Sequence, residues 1–260
     1  RTSPFAFTGN KFEFRAVGAS HTTSEPATAI ALMLAYGIDV VIAKIEKAKG
    51  SDIQAKALSV IKELAKSTKR VRFEGNNYEG KWHAEAEKRG LPNFRTTPEA
   101  LAFLTDKDVV KLYTGYGILK EHELHAKQEI RIEAYVKIKE IELKIVKNMA
   151  ETGVLPPLVR QLNEYAAAEQ AAAGSKSGAK ALKERTAKLG DIVGDLHAAV
   201  AAIDAVLSKE SPSIVKRAEF LADAGKKALD TVRAACNDAQ DVLDEADWPY
   251  PSYREMLFLL

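Results

Sequence analysis

The sequence has a single cysteine, Cys236, among 260 residues, so no disulfide can form within the chain. Neither sign of charge dominates, because 38 Lys and Arg residues stand against 36 Asp and Glu residues, a net charge of +2. This balance gives no electrostatic reason to expect nucleic acid or an anionic membrane as a partner. Cys236 lies in an alanine-rich helical stretch, which predicts a small buried thiol rather than a reactive one.

Long hydrophobic runs are also scarce. The longest, Ala27 to Ile38, falls short of the ~18 residues that span a bilayer and has the length of a buried helix segment. The first residues lack the basic region and long apolar core of a secretory signal, and there is no initiator Met. We therefore expect a soluble, cytoplasmic protein with no membrane partner, whose chain begins inside a fold.

Several motifs that identify enzyme classes are absent. There is no phosphate loop, dinucleotide fingerprint, serine nucleophile elbow or cysteine pair. His122 and His125 are three residues apart, whereas the common zinc motif places its histidines four apart, so a solvated helix start is favoured. The remaining histidines are isolated in sequence and receive no role: His21, His83 and His197.

The amino end predicts a β-hairpin. Phe5-Ala6-Phe7-Thr8 and Lys11-Phe12-Glu13-Phe14 flank Gly9-Asn10, a two-residue turn. This turn pairs Phe5 with Phe14 and Phe7 with Phe12, so the four phenylalanine rings share one face and cover a core.

The other face of this hairpin is ionic. Lys11, Glu13 and Arg15 would stand in a row about 7 Å apart, which suits groups that converge on a charged ligand. A solvated, charged edge of the molecule is the alternative interpretation of the same residues.

The rest of the chain predicts helices. From Thr28 to Ile45 apolar residues occupy nearly every side of the helix, which predicts a buried core helix. Shorter helices are predicted over about Asp52 to Ser67, Tyr78 to Arg89, and from Thr97-Pro98-Glu99. A long helix is predicted from about Lys120 to Glu151, with an apolar stripe of Ile130, Ala134, Ile138, Ile141, Ile145 and Met149.

Gly153 and Pro156-Pro157 should end or kink this long helix before another that runs to about Ala173. In the last third, apolar residues alternate at four and three residues from about Ala179 to Ser208, and Pro212 begins a second helix to about Asp244. We expect these two to form a long antiparallel helical hairpin. The proline-rich segment from Trp248 to Tyr253 cannot be regular helix, and its aromatic residues should dock on the bundle.

The first fifteen residues, Arg1-Thr2-Ser3-Pro4-Phe5-Ala6-Phe7-Thr8-Gly9-Asn10-Lys11-Phe12-Glu13-Phe14-Arg15, resemble the final active-site segment of type III glutamine synthetases. The resemblance continues through Gly90-Leu91-Pro92-Asn93, Thr96 to Ala100, Gly117 to Ile130 and Trp248-Pro249-Tyr250-Pro251. It covers most of the chain, and Ser175 to Glu210 carries the fewest motifs.

The resemblance implies a role for four residues. Glu13 resembles the acid that helps to hold the metal near the nucleotide phosphates, and Arg15 the arginine that binds glutamate. Arg1 resembles the catalytic arginine that steadies the transferring phosphoryl group, and Lys11 stands where relatives use an arginine near the nucleotide. Relatives of the bacterial type I pattern carry a further arginine shortly after the first, but residues 2–10 contain none.

The resemblance also implies an activity, ATP-dependent ligation of ammonia to glutamate through γ-glutamyl phosphate, with Mg²⁺ or Mn²⁺ as cofactor and ATP as co-substrate. Residues 1–150 would be the end of the catalytic domain and 151–260 a helical extension, in a homo-oligomer of stacked rings. The fold class is then mainly α: a helical bundle, the long helical hairpin, and a short β-hairpin left from a larger α+β catalytic domain. Most metal ligands would lie outside this chain, so alone it should be inactive. The alternative is a non-catalytic helical interaction or assembly module.

Overall fold

In a computed structural model of the chain, the described residues are 22–50, 52–72 and 80–258, together with the backbone of strands β1 (Phe5–Phe7) and β2 (Phe12–Phe14). Two compact units are present. One comprises Arg1–Arg95 and Asp106–Leu124, and the other Thr96–Thr105 and His125–Leu260. The boundary predicted near residue 150 is the end of the family's catalytic domain, which need not coincide with a division into compact units. It stays a prediction.

β1 and β2 form an antiparallel ribbon in which Phe5 pairs with Phe14, Ala6 with Glu13 and Phe7 with Phe12. No other strand joins them within the described residues, whose regular structure is otherwise helical. The predicted fold class is therefore corrected: the chain is mainly α, and a β-hairpin is not one of the layers that build its fold. Two three-residue strands cannot enclose a core without a third strand or a packed helix. The two predicted hairpin faces depend on side chains outside the described part and remain a prediction.

The helices of the described residues follow one another along the chain. They are α1 (Ser24–Lys47), α2 (Ile53–Ser67), α3 (Gly80–Lys88), α4 (Thr97–Ala102), α5 (Lys107–Gly115), α6 (Glu121–Met149), α7 (Leu155–Ala171), α8 (Lys176–Ser208), α9 (Ile214–Phe220), α10 (Lys226–Gln240) and α11 (Tyr253–Leu257). Short 3₁₀ turns lie at Thr68–Val71, Phe103–Thr105 and Glu245–Asp247, and π turns at Ala150–Val154 and Leu221–Gly225.

Capping residues fix several of the helix starts that the sequence predicts. The Asp52 carboxylate accepts a hydrogen bond from the Ala55 N–H at 2.8 Å, so α2 begins where predicted. Before α4, Thr96 and Glu99 form a capping box and Pro98 occupies the first turn. The short helix predicted from Thr97 is thus confirmed.

α1 confirms the predicted helix but not its predicted burial. Only Leu32 is buried, whereas large apolar residues on several sides are about half exposed or more: Met33, Leu34, Tyr36, Ile38 and Ile42. α2 packs against α1, but a single neighbouring helix can cover only one side of a helix that is apolar nearly all round.

The length and composition of α1 also suit a membrane-crossing helix, unlike any other helix of the described residues, with a mean hydropathy of 1.8 over 18 residues. The expectation that no apolar segment is long enough to span a bilayer is therefore corrected for α1, by length and composition only. Core helices of soluble proteins have the same composition, so this is weak support for a membrane span. Asp39, in the middle of α1, accepts a hydrogen bond from Tyr116.

α6 and α7 are continuous through the π turn Ala150–Val154. The predicted long helix is confirmed, but Gly153 and Pro156-Pro157 do not end it. The two prolines occupy the first turn of α7, just after the widened turn, where the backbone can do without their missing N–H groups. Gly153 is needed for close approach, because a Cβ atom there would overlap the Tyr250 hydroxyl.

The last two long helical segments form the predicted antiparallel hairpin. Arg217 contacts the end of α8, while Arg185 near its start bonds the Val242 carbonyl, so the two segments run in opposite directions. α7 and α10 both pack on α8. Their shared core is aliphatic, including Leu158, Leu189, Leu196, Ile203, Leu221 and Val232.

Candidate functional site

The predicted active-site residues lie in the first fifteen positions. Arg1, Lys11 and Arg15 are outside the described residues, and Glu13 is described only as backbone, paired with Ala6 at the centre of β2. Their convergence therefore stays a prediction. The described residues offer other polar clusters, whose chemistry can be judged from their contacts.

A tyrosine–carboxylate pair lies in the first unit. The Tyr116 hydroxyl donates to Asp39 Oδ2 at 2.5 Å. This bond and the nearby negative charge raise the pKa of Tyr116 to about 12. The proton is thus held on the phenol at neutral pH, so Tyr116 serves to join α1 to the end of α5 rather than to act as a base.

Arg89, the residue after α3, donates hydrogen bonds to one carboxylate and to two backbone carbonyls. Its guanidinium bonds Glu85 at 2.7 Å and the carbonyl oxygens of Arg70 and Arg72 at 3.3 and 3.0 Å. It also lies 5.4 Å from the centre of the Trp82 ring, within the range of a cation–π contact. The pairing with Arg89 lowers the pKa of the Glu85 carboxyl. These contacts indicate a structural arginine that ties the segment after α2 to α3.

Metal-binding groups do not come together in the part of the chain that the structure describes. No three His, Cys, Asp or Glu side chains there are placed to hold one ion. His122 and His125 are exposed at the start of α6. A divalent cation needs several oxygen ligands, and the described side chains do not supply that set.

Arg217 is a buried charge in the second unit, with only 11% of its side chain exposed. Its Nε and Nη2 atoms lie 2.8 and 2.7 Å from Glu140 Oε1. The same guanidinium donates to the carbonyls of Val206, Leu207 and Lys209 at 3.0, 3.3 and 2.8 Å. Arg217 thus caps the carboxyl end of α8, where unpaired carbonyl groups favour a cation.

A second polar tie holds the other end of the helical hairpin. Gln161 donates to the Val242 carbonyl at 2.7 Å and accepts from the Asp244 N–H at 3.0 Å. Arg185 donates to the same Val242 carbonyl at 2.8 Å and lies 5.6 Å from the Tyr165 ring centre. The buried amide therefore fixes the chain where it leaves α10.

The carboxy-terminal aromatics dock on the bundle, as predicted. Trp248 and Tyr250 pack against the core, and Tyr250 donates to the Met149 carbonyl at 2.9 Å. They border a cavity of about 580 Å³ that also contacts Val146 and Cys236. Burial raises the pKa of the Cys236 thiol, which keeps it protonated and agrees with a structural role.

Comparison with known proteins finds relatives for these elements. Residues 56–172, from α2 to the end of α7, match the model of the glutamine synthetase C-terminal domain. The type-3 glutamine synthetase of Dictyostelium discoideum is 31% identical over 268 residues, covering 100% of this chain and 36% of the relative. Over its whole length the chain is therefore similar to the carboxy-terminal part of a type-3 glutamine synthetase. The resemblance seen in the sequence is thereby confirmed.

Two further glutamine synthetases are similar to this chain over nearly its whole length. That of Bacteroides fragilis (strain YCH46) is 29% identical over 276 residues, covering 99% of this chain and 37% of its own length. That of Butyrivibrio fibrisolvens is 29% identical over 269 residues, covering 100% and 38%. The chain thus spans little more than a third of the length of these relatives. The matches to the Dictyostelium discoideum and Butyrivibrio fibrisolvens proteins cover 100% of this chain and so extend over residues 1–15. This segment lies before the residues matched by the family model.

Some residues that organise the described structure were missed in the sequence. Arg217 and Gln161 received no role, although each stands at helical spacing among apolar residues: Arg217 is three residues after Ile214 and four before Leu221, and Gln161 is three after Leu158 and four before Tyr165. A long polar side chain at such a position is the signal, because a charge or amide on a buried face requires a partner. The sequence does not indicate that this partner is backbone carbonyl from a helix end.

Proposed function

We propose that this chain is the carboxy-terminal part of an enzyme that ligates ammonia to glutamate with ATP, through γ-glutamyl phosphate. The observation that carries the proposal is the match of nearly the whole chain to three glutamine synthetases, one of which is named a type-3 glutamine synthetase. The fifteen-residue segment from Arg1 to Arg15 adds the residue types that this chemistry requires.

Each proposed role follows from the charge that the residue would meet. Arg15 would bind the substrate carboxylate through charge-assisted, paired hydrogen bonds. Arg1 would offset negative charge on the transferring phosphoryl group, and Lys11 would contact the nucleotide phosphates as a point charge. Glu13 would be one oxygen ligand of Mg²⁺ or Mn²⁺, which supplies charge neutralisation at the phosphates.

The active site is proposed to be incomplete in this chain. The chain spans just over a third of its relatives, and the described residues contain no metal-ligand set. The exposed apolar surface of α1 is also expected of a helix that packs against sequence outside this chain. We further propose that the enzyme is cytoplasmic and assembles as stacked rings.

The test is a comparison of two proteins under the same assay. Glutamine formation from glutamate, ammonia and ATP should occur with the full-length parent protein and be absent with this chain alone. Full-length protein that binds neither ATP nor glutamate would overturn the proposal. That result would favour the alternative function, a non-catalytic helical module. The well-packed helical bundle of the second unit is the observation in favour of this alternative.

A further inference from the structure

The chain beyond α10 packs on the bundle without long regular structure. Residues 244–258, called here the strap, contain a 3₁₀ turn and the short helix α11. Among those whose exposure is described, Trp248, Tyr250 and Ser252 alone are partly buried, and the others are exposed. The two aromatic rings meet edge to face with their centres 6.1 Å apart, and they pack against the hydrophobic core. The strap is thus docked mainly through one pair of aromatic side chains.

Local hydrogen bonds hold the strap in shape at both of its ends. The Asp244 carboxylate accepts from the Ala246 N–H at 2.9 Å. Ser252 and Glu255 form a capping box at the start of α11. Each of these bonds joins residues two or three positions apart, so none of them depends on the bundle. They stay intact when the strap leaves the bundle.

Few polar contacts fasten the strap to the bundle. Beyond Asp244, and among the described residues, one hydrogen bond does so, from the Tyr250 hydroxyl to the Met149 carbonyl at 2.9 Å. Asp247 and Arg160 form an ion pair at 3.8 Å, but both side chains are about half exposed or more, where such pairs stabilise weakly. The strap is therefore held by the burial of two rings and by a single well-formed hydrogen bond.

Docking of the strap leaves one donor unsatisfied and space unfilled beside the rings. The indole N–H of Trp248 is buried and has no hydrogen-bond partner among the described residues. This opposes docking, because water would bond the same donor in an open strap. Trp248 and Tyr250 also border two cavities, of about 560 and 580 Å³. Rings beside unfilled space make fewer dispersion contacts than close-packed ones.

We propose that the strap is a latch, which opens by local unfolding while the helical bundle stays folded. Segments with few buried contacts open at free energies below that of global unfolding. Opening exchanges the bond between Tyr250 and the Met149 carbonyl for bonds to water, and it hydrates the indole of Trp248. It also uncovers the wall of the larger cavity, which includes Val146 and Leu229. This conformational step is independent of the ligase activity proposed above.

Cys236 is a natural reporter of this opening. It is the single cysteine of the chain and borders the same cavity as Trp248 and Tyr250. Burial, and after it the nearby Cys236, raise the pKa of Tyr250, so the hydroxyl and the thiol are neighbours. Burial also raises the pKa of Cys236, which lowers both the access and the thiolate fraction of the thiol. When the strap recloses rapidly, the rate at which Cys236 reacts with the thiol reagent DTNB follows the open fraction.

The DTNB reaction of the 260-residue chain under native conditions tests the proposal. Tyr250→Phe removes the hydrogen bond to Met149 and should raise the reaction rate about fivefold. Trp248→Ala removes the larger docked ring and should raise the rate at least about 30-fold. Tyr165→Phe is the matched control, because Tyr165 packs against the same core but does not border the cavity; its rate should equal that of the parent. Circular dichroism checks that each variant keeps the helical content of the parent.

A core variant separates local opening from global unfolding. None of the contacts of Arg217 described above involves the strap, so Arg217→Met should weaken the bundle and change the DTNB rate by no more than about twofold. An acceleration of about 100-fold in Arg217→Met, matching its loss of global stability, would mean that Cys236 reacts only after the bundle unfolds. That result would overturn the proposal. Equal rates in Tyr250→Phe, Trp248→Ala and the parent would overturn it as well, because the docked strap would then not protect the thiol.

Discussion

Arg217 shows how one buried side chain can hold a helical hairpin together. It meets Glu140 and three backbone carbonyls in the last turn of α8 and its cap residue, so its charge is shared by several acceptors. A flexible ammonium could reach fewer of these acceptors than a planar guanidinium. The contact joins the close of one helix to the opening of the next.

Replacement of Arg217 should destabilise the chain strongly. Arg217→Met keeps much of the volume but leaves Glu140 and the α8 carbonyls without their donor, so we expect a loss of about 3 kcal/mol in the free energy of unfolding. Urea unfolding followed by circular dichroism measures it. Lys216→Met is the control, because Lys216 pairs with Glu219 on an exposed surface and should cost at most about 1 kcal/mol. Equal losses in both variants would contradict the capping role.

Tyr116 gives a pH-dependent readout of the first unit. Its pKa is raised from 10.0 to about 12 by the hydrogen bond to Asp39. Because the folded pKa lies above the ordinary one, the stabilisation by this bond is complete below pH 10 and is lost as the pH rises through 12. The tyrosinate absorbance difference between the parent and Tyr116→Phe should therefore titrate near 12. In Asp39→Ala the same titration should move towards 10.0.

Substitutions of two proposed active-site residues should have different kinetic effects in the full-length protein. Arg15→Ala should lower catalytic efficiency for glutamate by ~30- to 1,000-fold, or about 2–4 kcal/mol, because it removes a charge-assisted carboxylate contact. Glu13→Ala should instead raise the metal concentration needed for turnover. Glu164→Ala, an exposed acid of α7, serves as control. Normal efficiency and metal dependence in both variants would favour the solvated charged face.

At the scale of elements, the junction of α6 and α7 depends on a glycine. Tyr250 packs so closely over Gly153 that its hydroxyl occupies the space of a Cβ atom, while it donates to the Met149 carbonyl. The widened turn, the glycine and the carboxy-terminal tyrosine thus form one local arrangement.

Gly153→Ala should disturb this arrangement although alanine favours helix elsewhere. The added methyl group must displace Tyr250, and we expect a loss of about 1–3 kcal/mol, measured as a lower melting temperature. Gly194→Ala is the matched control in α8, where a Cβ atom meets nothing within 4 Å; it should stabilise by roughly 0.5–1 kcal/mol. Removing the hydroxyl in Gly153→Ala/Tyr250→Phe should recover part of the loss. No difference between the two glycine variants would rule out the steric account.

Much at this scale was predictable from local chemistry. The starts of α2 and α4, the two arms of the helical hairpin and the docking of Trp248 follow from capping residues, apolar spacing and proline. The continuity of α6 into α7 did not, because glycine and paired prolines ordinarily end a helix, and only a π turn admits them here. The apolar stripe predicted on α6 lies on the exposed side of the helix, because both faces are apolar and periodicity cannot choose which one packs into the bundle.

At the scale of the whole molecule, the surface of α1 is the main departure from a self-sufficient fold. We expect this chain alone to bind a hydrophobic dye such as ANS, and the full-length protein to bind much less per molecule, because α1 is then covered. Replacing Leu34 and Ile38 with lysine should reduce dye binding by the isolated chain. Equal binding by the full-length protein and the chain would mean that the additional sequence leaves α1 exposed.

The proposed catalytic residues were predictable at this scale only through family resemblance. Four charged residues among the first fifteen positions are also typical of a solvated edge, so their local pattern alone cannot assign a chemistry. The alternation of charged and apolar residues singled out the segment from Arg1 to Arg15, and the family resemblance alone suggested a role for each residue. The match with a type-3 glutamine synthetase covers this segment, and the roles of its residues stay a prediction.

The π turn at Ala150–Val154 has a consequence for how such a bundle tolerates insertion and deletion. A π turn holds one residue more than an α-helical course over the same stretch. Loss of a single codon there could restore an unbroken helix, with every backbone bond still made. Because the widened turn alone takes up the extra residue, the residues after it, Leu158 among them, would keep the faces that they present now. The chain can therefore lose one residue at this point and keep both its helix and its core, and the contact of Tyr250 with the turn would be the feature that changes.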